Sequence, residues 1–412
     1  MQDPVIILGA GIVGLCTALS LAERGVAVRI IDRGVPGQET SFGNAGVISP
    51  WSIIPQSVPG LWRQIPKLMF GAAPPLSVHL SSWPKMIPWG LRFLRQGTET
   101  KTRLGADAME VLCAPSIELY RRHLAGTGHE MLVRDSMYVH AFRDGSRANL
   151  QSIDYAIRRE KGADLELVGA DELRRVEPAL SPSFNAAVLI RGQARATSPG
   201  RIGRVLAEKV QNLGVEILRE NIRALHRASG SWDIVCEGKT HQASKVVLAL
   251  GAWSADLLKP LGLKLPLMAE RGYHLEFSNP GIEIGNSVMD VDAKLVASSM
   301  DSGARFAGQA EFAPIDAPMD DKKRIQLRSL AKAAFPDLIT KTESFWMGRR
   351  PSFPDSLPVL GQASGREGLF LNFGHSHYGL MMAPKSGELL ADVITERLPN
   401  TNISVFAAER FE

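Results

Sequence analysis

The chain has few cysteines: three in 412 residues, Cys16, Cys113 and Cys236. None forms a C-x-x-C pair, and none sits with histidines at zinc-finger spacing, so no sequence signature of a metal or iron–sulfur site is present. Three thiols in this arrangement read as buried and reduced. Charge of one sign is also lacking. Lys plus Arg number 47 and Asp plus Glu 43, a net +4, and no nucleic-acid motif accompanies that small excess. Long apolar runs are missing as well. The one uncharged stretch, Val5 to Ala22, is preceded by Met1 to Pro4 without a basic residue and is broken by Gly9, Gly11 and Gly14. It reads as strand, turn and helix rather than signal anchor. No internal repeat or low-complexity tract occurs. The length exceeds what one core usually serves, so two domains are expected.

What is present begins at the N-terminus. Pro4 to Leu8 reads as a short buried strand, followed by Gly9-Ala10-Gly11-Ile12-Val13-Gly14, a helix to about Arg24, and a second strand, Val26 to Ile31, closed by Asp32 and Arg33. Strand, glycine turn, helix, strand and acid in that order form the dinucleotide fingerprint. Gly9 permits the tight turn, Gly11 lets the pyrophosphate approach the backbone, and Gly14 lets helix and sheet pack closely. The helix N-terminus at Ile12 and Val13 offers free N–H groups to phosphate. Asp32 holds ribose hydroxyls and repels a 2′-phosphate, which selects FAD or NAD over NADP. Further on, Ser198-Pro199 reads as an N-cap and first helical residue of a helix to Leu213, and Val215 to Leu218 as a strand. Asp301 to Ala304 reads as a hairpin turn between 293–299 and 305–309. On a strand, Arg349 and Arg350 face opposite ways.

Several later blocks select FAD. They are Glu39 to Pro50 (ETSFGNAGVISP), Glu177 to Leu180, Val246 to Ser254 (VVLALGAWS), Arg271 to His274 (RGYH), Arg305 to Phe312, Trp346 to Gly361 and Asn372 to Pro384 (NFGHSHYGLMMAP). In this order they resemble the D-amino-acid oxidase family of flavoproteins, in its D-amino-acid dehydrogenase or D-hydroxyproline dehydrogenase branch, over nearly the whole chain. The resemblance implies an α/β fold. A Rossmann-like FAD-binding domain of the glutathione-reductase type (1–50, 190–262 and 345–412) is interleaved with an antiparallel-sheet substrate domain (51–189 and 263–344). It implies cofactor contacts from Ser41, Asn44, Ala45, Gly46 and Ile48, from Ile222, Gly251 and Trp253, and from Gly374, His375, Gly379, Leu380 and Met381. The helix after that last loop is expected from about Pro384 to Glu396.

For the substrate, the resemblance implies Arg350 as the carboxylate anchor, since a guanidinium grips a carboxylate with two parallel hydrogen bonds. Tyr273 is a second candidate donor. His274 contacts the substrate or only packs, and His375 sits nearer the site than His377. No acidic or basic residue reads as an anchor for the substrate side chain. The expected function is noncovalent FAD-dependent oxidation of a D-amino or cyclic D-imino acid, of the D-proline or hydroxy-D-proline type, with a quinone or other electron-transfer partner as acceptor. The alternatives are a sarcosine- or glycine-type oxidase using oxygen, a flavoprotein subunit of a hetero-oligomer, and an NAD-dependent dehydrogenase sharing the fingerprint alone. The segment from Trp51 to Gly97 holds four of the seven tryptophans among scattered bases. It reads as a lid or as a surface for the inner face of the plasma membrane, so the protein is expected in the cytoplasm.

Overall fold

The computed structural model describes residues 3–71, 73–228 and 230–412. Its first sheet grows from the strand Val5–Leu8, four apolar residues that are all buried. Such a strand suits the middle of a parallel sheet covered on both faces. It pairs in parallel with Val28–Asp32 on one side and Val246–Leu248 on the other. Glu216–Arg219 and Leu369–Phe373 extend the parallel sheet, and antiparallel Val359–Gln362 closes one edge. Gly9, at φ +112°, turns the chain into the helix Ile12–Ala22, which ends two residues before Arg24. This helix packs on the helices Pro199–Asn212 and Gly379–Ile394. A three-stranded antiparallel meander, Ile222–Ala228, Ser231–Cys236 and Lys239–Ala243, stands beside the sheet.

Two helix starts differ from expectation. Pro199 opens its helix as expected, but the Ser198 side chain makes no capping bond. The last helix begins at Gly379, five residues before Pro384, which lies inside it. A proline there lacks the N–H that would bond the Leu380 carbonyl. The buried Tyr120 hydroxyl donates to that carbonyl instead, at 2.7 Å, so the helix tolerates its proline.

The second sheet has ten strands and is mostly antiparallel. Its inner run is Glu343–Ser352, Met268–Phe277, Gly303–Phe312, Leu295–Met300, Ser287–Asp290, Val133–Phe142 and Ala186–Ala196. The hairpin stands where expected, with Met300 opposite Gly303, a first strand that begins only at Leu295 and a second that runs from Gly303 on to Phe312. Alternation sorts the side chains. Tyr273, Leu275, Phe277, Val139 and Ala141 join the core with the helix Asp321–Ala334, while Glu270, Gly272, Tyr138 and His140 line a cavity on the other face.

The expected domain limits need correction at three points. Glu343–Ser352 pairs along its whole length with Met268–Phe277, so the dinucleotide unit resumes after Ser352 and not at 345. Ala186–Ala196 likewise belongs entirely to the large sheet, rather than dividing at 190. The helices Glu99–Cys113 and Ser116–Leu124, placed with the substrate domain, pack on Gly379–Ile394 and contribute Met109, Leu112, Tyr120 and Leu124 to the dinucleotide core. Their apolar faces are buried there.

Candidate active site

One cavity of about 1430 Å³ runs between the two sheets. That exceeds the roughly 300–1,000 Å³ of an ordinary small-ligand pocket and leaves room for a dinucleotide together with a substrate. At the nucleotide end it is lined by Gly9, Gly11, Ile12, Val13, Asp32 and Arg33 from the fingerprint, by Ile222 at the start of a later strand, and by Gly251 and Trp253 from the helical turn after Val246–Leu248. A Cβ on Gly11 would meet nothing closer than the Ser41 hydroxyl at 3.7 Å, so its free side is cavity. A Cβ on Gly14 would lie 2.0 Å from the Gly9 carbonyl oxygen. Gly14 therefore serves helix–strand contact and does not line the cavity. The Asp32 carboxylate accepts the Ala10 and Gly34 N–H groups, both at 2.7 Å, which fixes it at the rim with lone pairs to spare. The Arg33 guanidinium covers the Trp253 ring at 4.5 Å.

The Glu39–Pro50 block closes over this cradle. The Ile12 N–H donates to Ser41 Oγ at 3.0 Å, and Thr40, Ser41, Asn44, Ala45 and Val47 line the cavity. Gly46 and Ile48 do not. Ile48 points into the core because it alternates with Val47, and Gly46 is pressed against the Ala196 carbonyl. What holds the block was missed from the sequence. The buried Arg305 pairs with Glu276 at 2.7 Å and donates to the carbonyls of Phe42 (2.9 Å) and Asn44 (2.7 Å). Arg305 lies in a quoted block, but nothing in the sequence shows that its partner stands across the sheet from it.

At the other end Arg350 lines the cavity. Its cross-strand neighbour is Glu270. Arg350 donates to Glu270 Oε1 at 2.9 Å and to the Gln309 carbonyl at 3.0 Å. Its guanidinium lies flat over Gly272, where a Cβ would sit 2.1 Å from Cζ. Gln309 adopts φ +64° beside a register shift between the strands Met268–Phe277 and Gly303–Phe312. Burial would raise the Glu270 carboxyl, but His377 at 2.6 Å and Arg350 more than offset it and hold it at about 2. Glu270 is thus a buried anion that orients the arginine and the histidine. It was not anticipated, since its role depends on strand register. Arg349 faces away: its Nε–H donates to the Ile315 carbonyl at 2.7 Å.

The other candidates divide. Tyr273 borders the cavity, but its side chain packs into the core and its hydroxyl is already engaged. It is 1% exposed, and its hydroxyl donates to Glu311 at 2.5 Å. His274 packs and does not line the cavity. Its ring stacks on Trp346 at 5.0 Å, its Nδ1 lies 3.1 Å from the Gly43 carbonyl, and burial, then the Arg305 charge, push it down to about 3. His375 does line the cavity and contacts Ser386 Oγ at 3.1 Å; burial pushes it down to about 3, so it is neutral. His377, rated below it from sequence, lines the cavity too and joins Arg350 through Glu270. Gly374, Gly379, Leu380 and Met381 complete this wall, and the helix N-terminus opening there favours negative charge. Asn372 Oδ1 and Ser376 Oγ, buried on the same wall, have no partner among the described residues. With the open face of Gly11 they fit a bound cofactor that supplies the missing hydrogen bonds.

The segment after Trp51 forms the roof. Leu61, Leu68, Val78, Trp89 and Phe93 face the cavity. Away from it, Glu220, Cys236 and His241 bring ligand atoms within 4.8 Å of one another, a grouping that their spacing in the chain conceals.

A dinucleotide cradle that opens beneath a sheet face carrying an arginine defines the class: an oxidoreductase with a bound dinucleotide cofactor. The chain belongs to the DAO family of FAD dependent oxidoreductases, whose model matches residues 4–393, and FAD is its cofactor. A D-amino-acid oxidase of Bradyrhizobium diazoefficiens is 32% identical over 99% of this chain and 98% of its own. Among solved structures, glycine oxidase from Geobacillus kaustophilus superposes with a TM-score of 0.76 at 20% identity, over 99% of this chain and 98% of its own. L-proline dehydrogenase from P. horikoshii also gives 0.76, at 18% identity, over 100% and 98%. These two share the fold.

Proposed function

We propose that the protein oxidises a small D-amino acid or cyclic D-imino acid, of the D-proline or hydroxy-D-proline type, to the corresponding imine, with a quinone or another electron-transfer partner as acceptor. The observation that carries this reading is Arg350, aimed and half-buried over Gly272, with guanidinium N–H groups left for a carboxylate. When bound, the flavin supplies the hydride acceptor. The chain's own residues do the rest. Arg350 fixes the carboxylate and thereby the α-carbon. Gly272 and Gly348 lack side chains where the Arg350 guanidinium and the Trp346 ring lie over the strands. The roof excludes water, which strengthens every charged contact inside. The D configuration and the dehydrogenase branch rest on the sequence blocks, and the D configuration also on the relative from Bradyrhizobium.

A panel of D- and L-amino acids with a dye acceptor tests this. D-Proline, hydroxy-D-proline or another small D-amino acid should be turned over by the purified single chain with dye, and with little peroxide under air. Turnover of L-enantiomers alone would exclude the D reading. Rapid peroxide formation would favour the oxygen-using alternative, and a dead single chain the hetero-oligomeric one.

The roof bears on the acceptor. The segment exposes Trp62, Phe70 and Leu80, and at the cavity's rim Ile87 and Leu91, interspersed with Arg63, Lys67, Lys85 and Arg92. No helix among the described residues is long and apolar enough to cross a membrane. An apolar face with basic residues suits peripheral contact with an anionic bilayer. The protein should sediment with phosphatidylglycerol vesicles at low salt and be released by added salt. If it stays in the supernatant at low salt, the segment is a roof alone.

A further inference from the structure

The cavity continues past Arg350 along the inner face of the large sheet. Three observations characterise this extension. The first is its floor. The Arg350 guanidinium spans Gly272 and reaches the Gln309 carbonyl, and the next cavity-lining positions, Ala307 and Gly308, are also small. At Gly308 the Lys294 carbonyl and the Leu295 side chain take the place a side chain would occupy.

The second is a cation. Lys294 lies one strand further on, and its carbonyl packs against Gly308, where a Cβ would come within 2.9 Å. The neighbouring strands lie about 5 Å apart, so the backbone of Lys294 is a short step from the Arg350 head. Lys294 lines the cavity, and no carboxylate lies within ion-pair distance of it among the described residues. The carboxylates in its field are committed elsewhere: Asp290 to Arg143 at 2.7 Å, Asp292 to Arg147, and Asp154 to Arg158 at 3.5 Å. Three pairs therefore leave Lys294 as the surplus charge. Lys294 is solvent-exposed along the cavity, and the surrounding protein, then Arg147, lower its pKa.

The third is the wall. Tyr138, His140 and Phe142 alternate along one strand and all face the cavity. His140 is 6% exposed; its Nδ1 contacts the Tyr155 hydroxyl at 2.8 Å, and its Nε2 has no partner among the described residues. An unpaired buried ring nitrogen costs stability unless a ligand or water meets it.

We infer that this extension is a second anion subsite, in which Lys294, beside His140, receives a carboxylate on the far end of a substrate whose α-carboxylate is held by Arg350. This rests on the substrate reading given above and widens it from ring-sized imino acids to amino acids with an acidic side chain.

The test separates the two. Succinate, glutarate and adipate, and the monocarboxylates butyrate and valerate, are titrated into the oxidised holoenzyme and followed by flavin absorbance. The best dicarboxylate should bind at least tenfold tighter than either monocarboxylate. Lys294→Met should erase that preference while leaving monocarboxylate binding within twofold, and Lys294→Arg should retain most of it. In turnover, Lys294→Met should cut kcat/KM for D-glutamate at least tenfold and leave D-alanine within twofold. Equal binding of mono- and dicarboxylates by the native protein, or an equal loss of both in Lys294→Met, overturns the subsite. Absence of turnover with every D-amino acid refutes the substrate reading instead, and the binding arm still decides the subsite.

Discussion

Arg350→Ala is expected to lower kcat/KM for a D-amino or D-imino acid by about 2–5 kcal/mol, in line with removal of one partner from a buried charged pair. That is roughly thirty- to several-thousand-fold. Two effects combine. The substrate carboxylate loses its bidentate partner, and Glu270 keeps only His377 and Ser352. The first effect should appear mainly in KM, with some loss of kcat from misalignment. FAD content should stay normal, because the guanidinium contacts Glu270 and Gln309 and is not part of the nucleotide cradle. Arg349→Ala should be milder, since that side chain is engaged with Ile315 and lies near Trp253. Native kcat/KM in Arg350→Ala, with loss in Arg349→Ala, would reverse the assignment. If neither change matters, the anchor is a different residue; Tyr273 is a poor candidate for it, because its hydroxyl is bound to Glu311.

The fingerprint glycines should fail in two different ways. Gly11→Val meets open cavity where the pyrophosphate must pass, so the protein should fold but purify colourless. Gly14→Ala drives a methyl group into the Gly9 carbonyl, 2.0 Å away. Helix and strand must then separate, with a cost at the upper end of single substitutions, about 4 kcal/mol or more. Thermal unfolding and flavin content measured together distinguish the two. Gly11→Val should lose flavin with a near-native apoprotein Tm, and Gly14→Ala should lose Tm first. Acid precipitation of the native protein should leave all the yellow colour in the supernatant, because the attachment is proposed to be noncovalent. Native flavin content in Gly11→Val would refute the placement of the pyrophosphate, and colour retained in the acid pellet would refute noncovalent binding.

The residues legible in the sequence are those whose role is set by near neighbours in the chain. Gly9, Gly11, Gly14 and Asp32 act within one strand–helix–strand unit, and spacing alone locates them. The opposed directions of Arg349 and Arg350 follow from the two-residue period of a strand. The same period separates Tyr273 from Glu270 and Gly272, yet it does not say which set meets the cofactor, because that depends on which face of the sheet the helix Asp321–Ala334 covers. Glu270 and Arg305 gain their meaning from partners on other strands. Register fixes those partners, and no local pattern in these strands encodes it. Ile48 was misplaced for a related reason: a block marks a stretch of chain, while alternation assigns each residue in it to the cavity or to the core; His274 shares the face of Gly272 but is covered there by Trp346.

The proline in the last helix has a consequence for how the molecule is divided. The phenol that occupies the Leu380 carbonyl comes from Ser116–Leu124, a helix inserted between segments of the dinucleotide unit. A fragment cut to the nucleotide-binding sheet alone would leave that carbonyl bare and strip the apolar side of the helix that carries Gly379 and Met381. The two halves are joined like a dovetail, and the nucleotide-binding half is not a portable module.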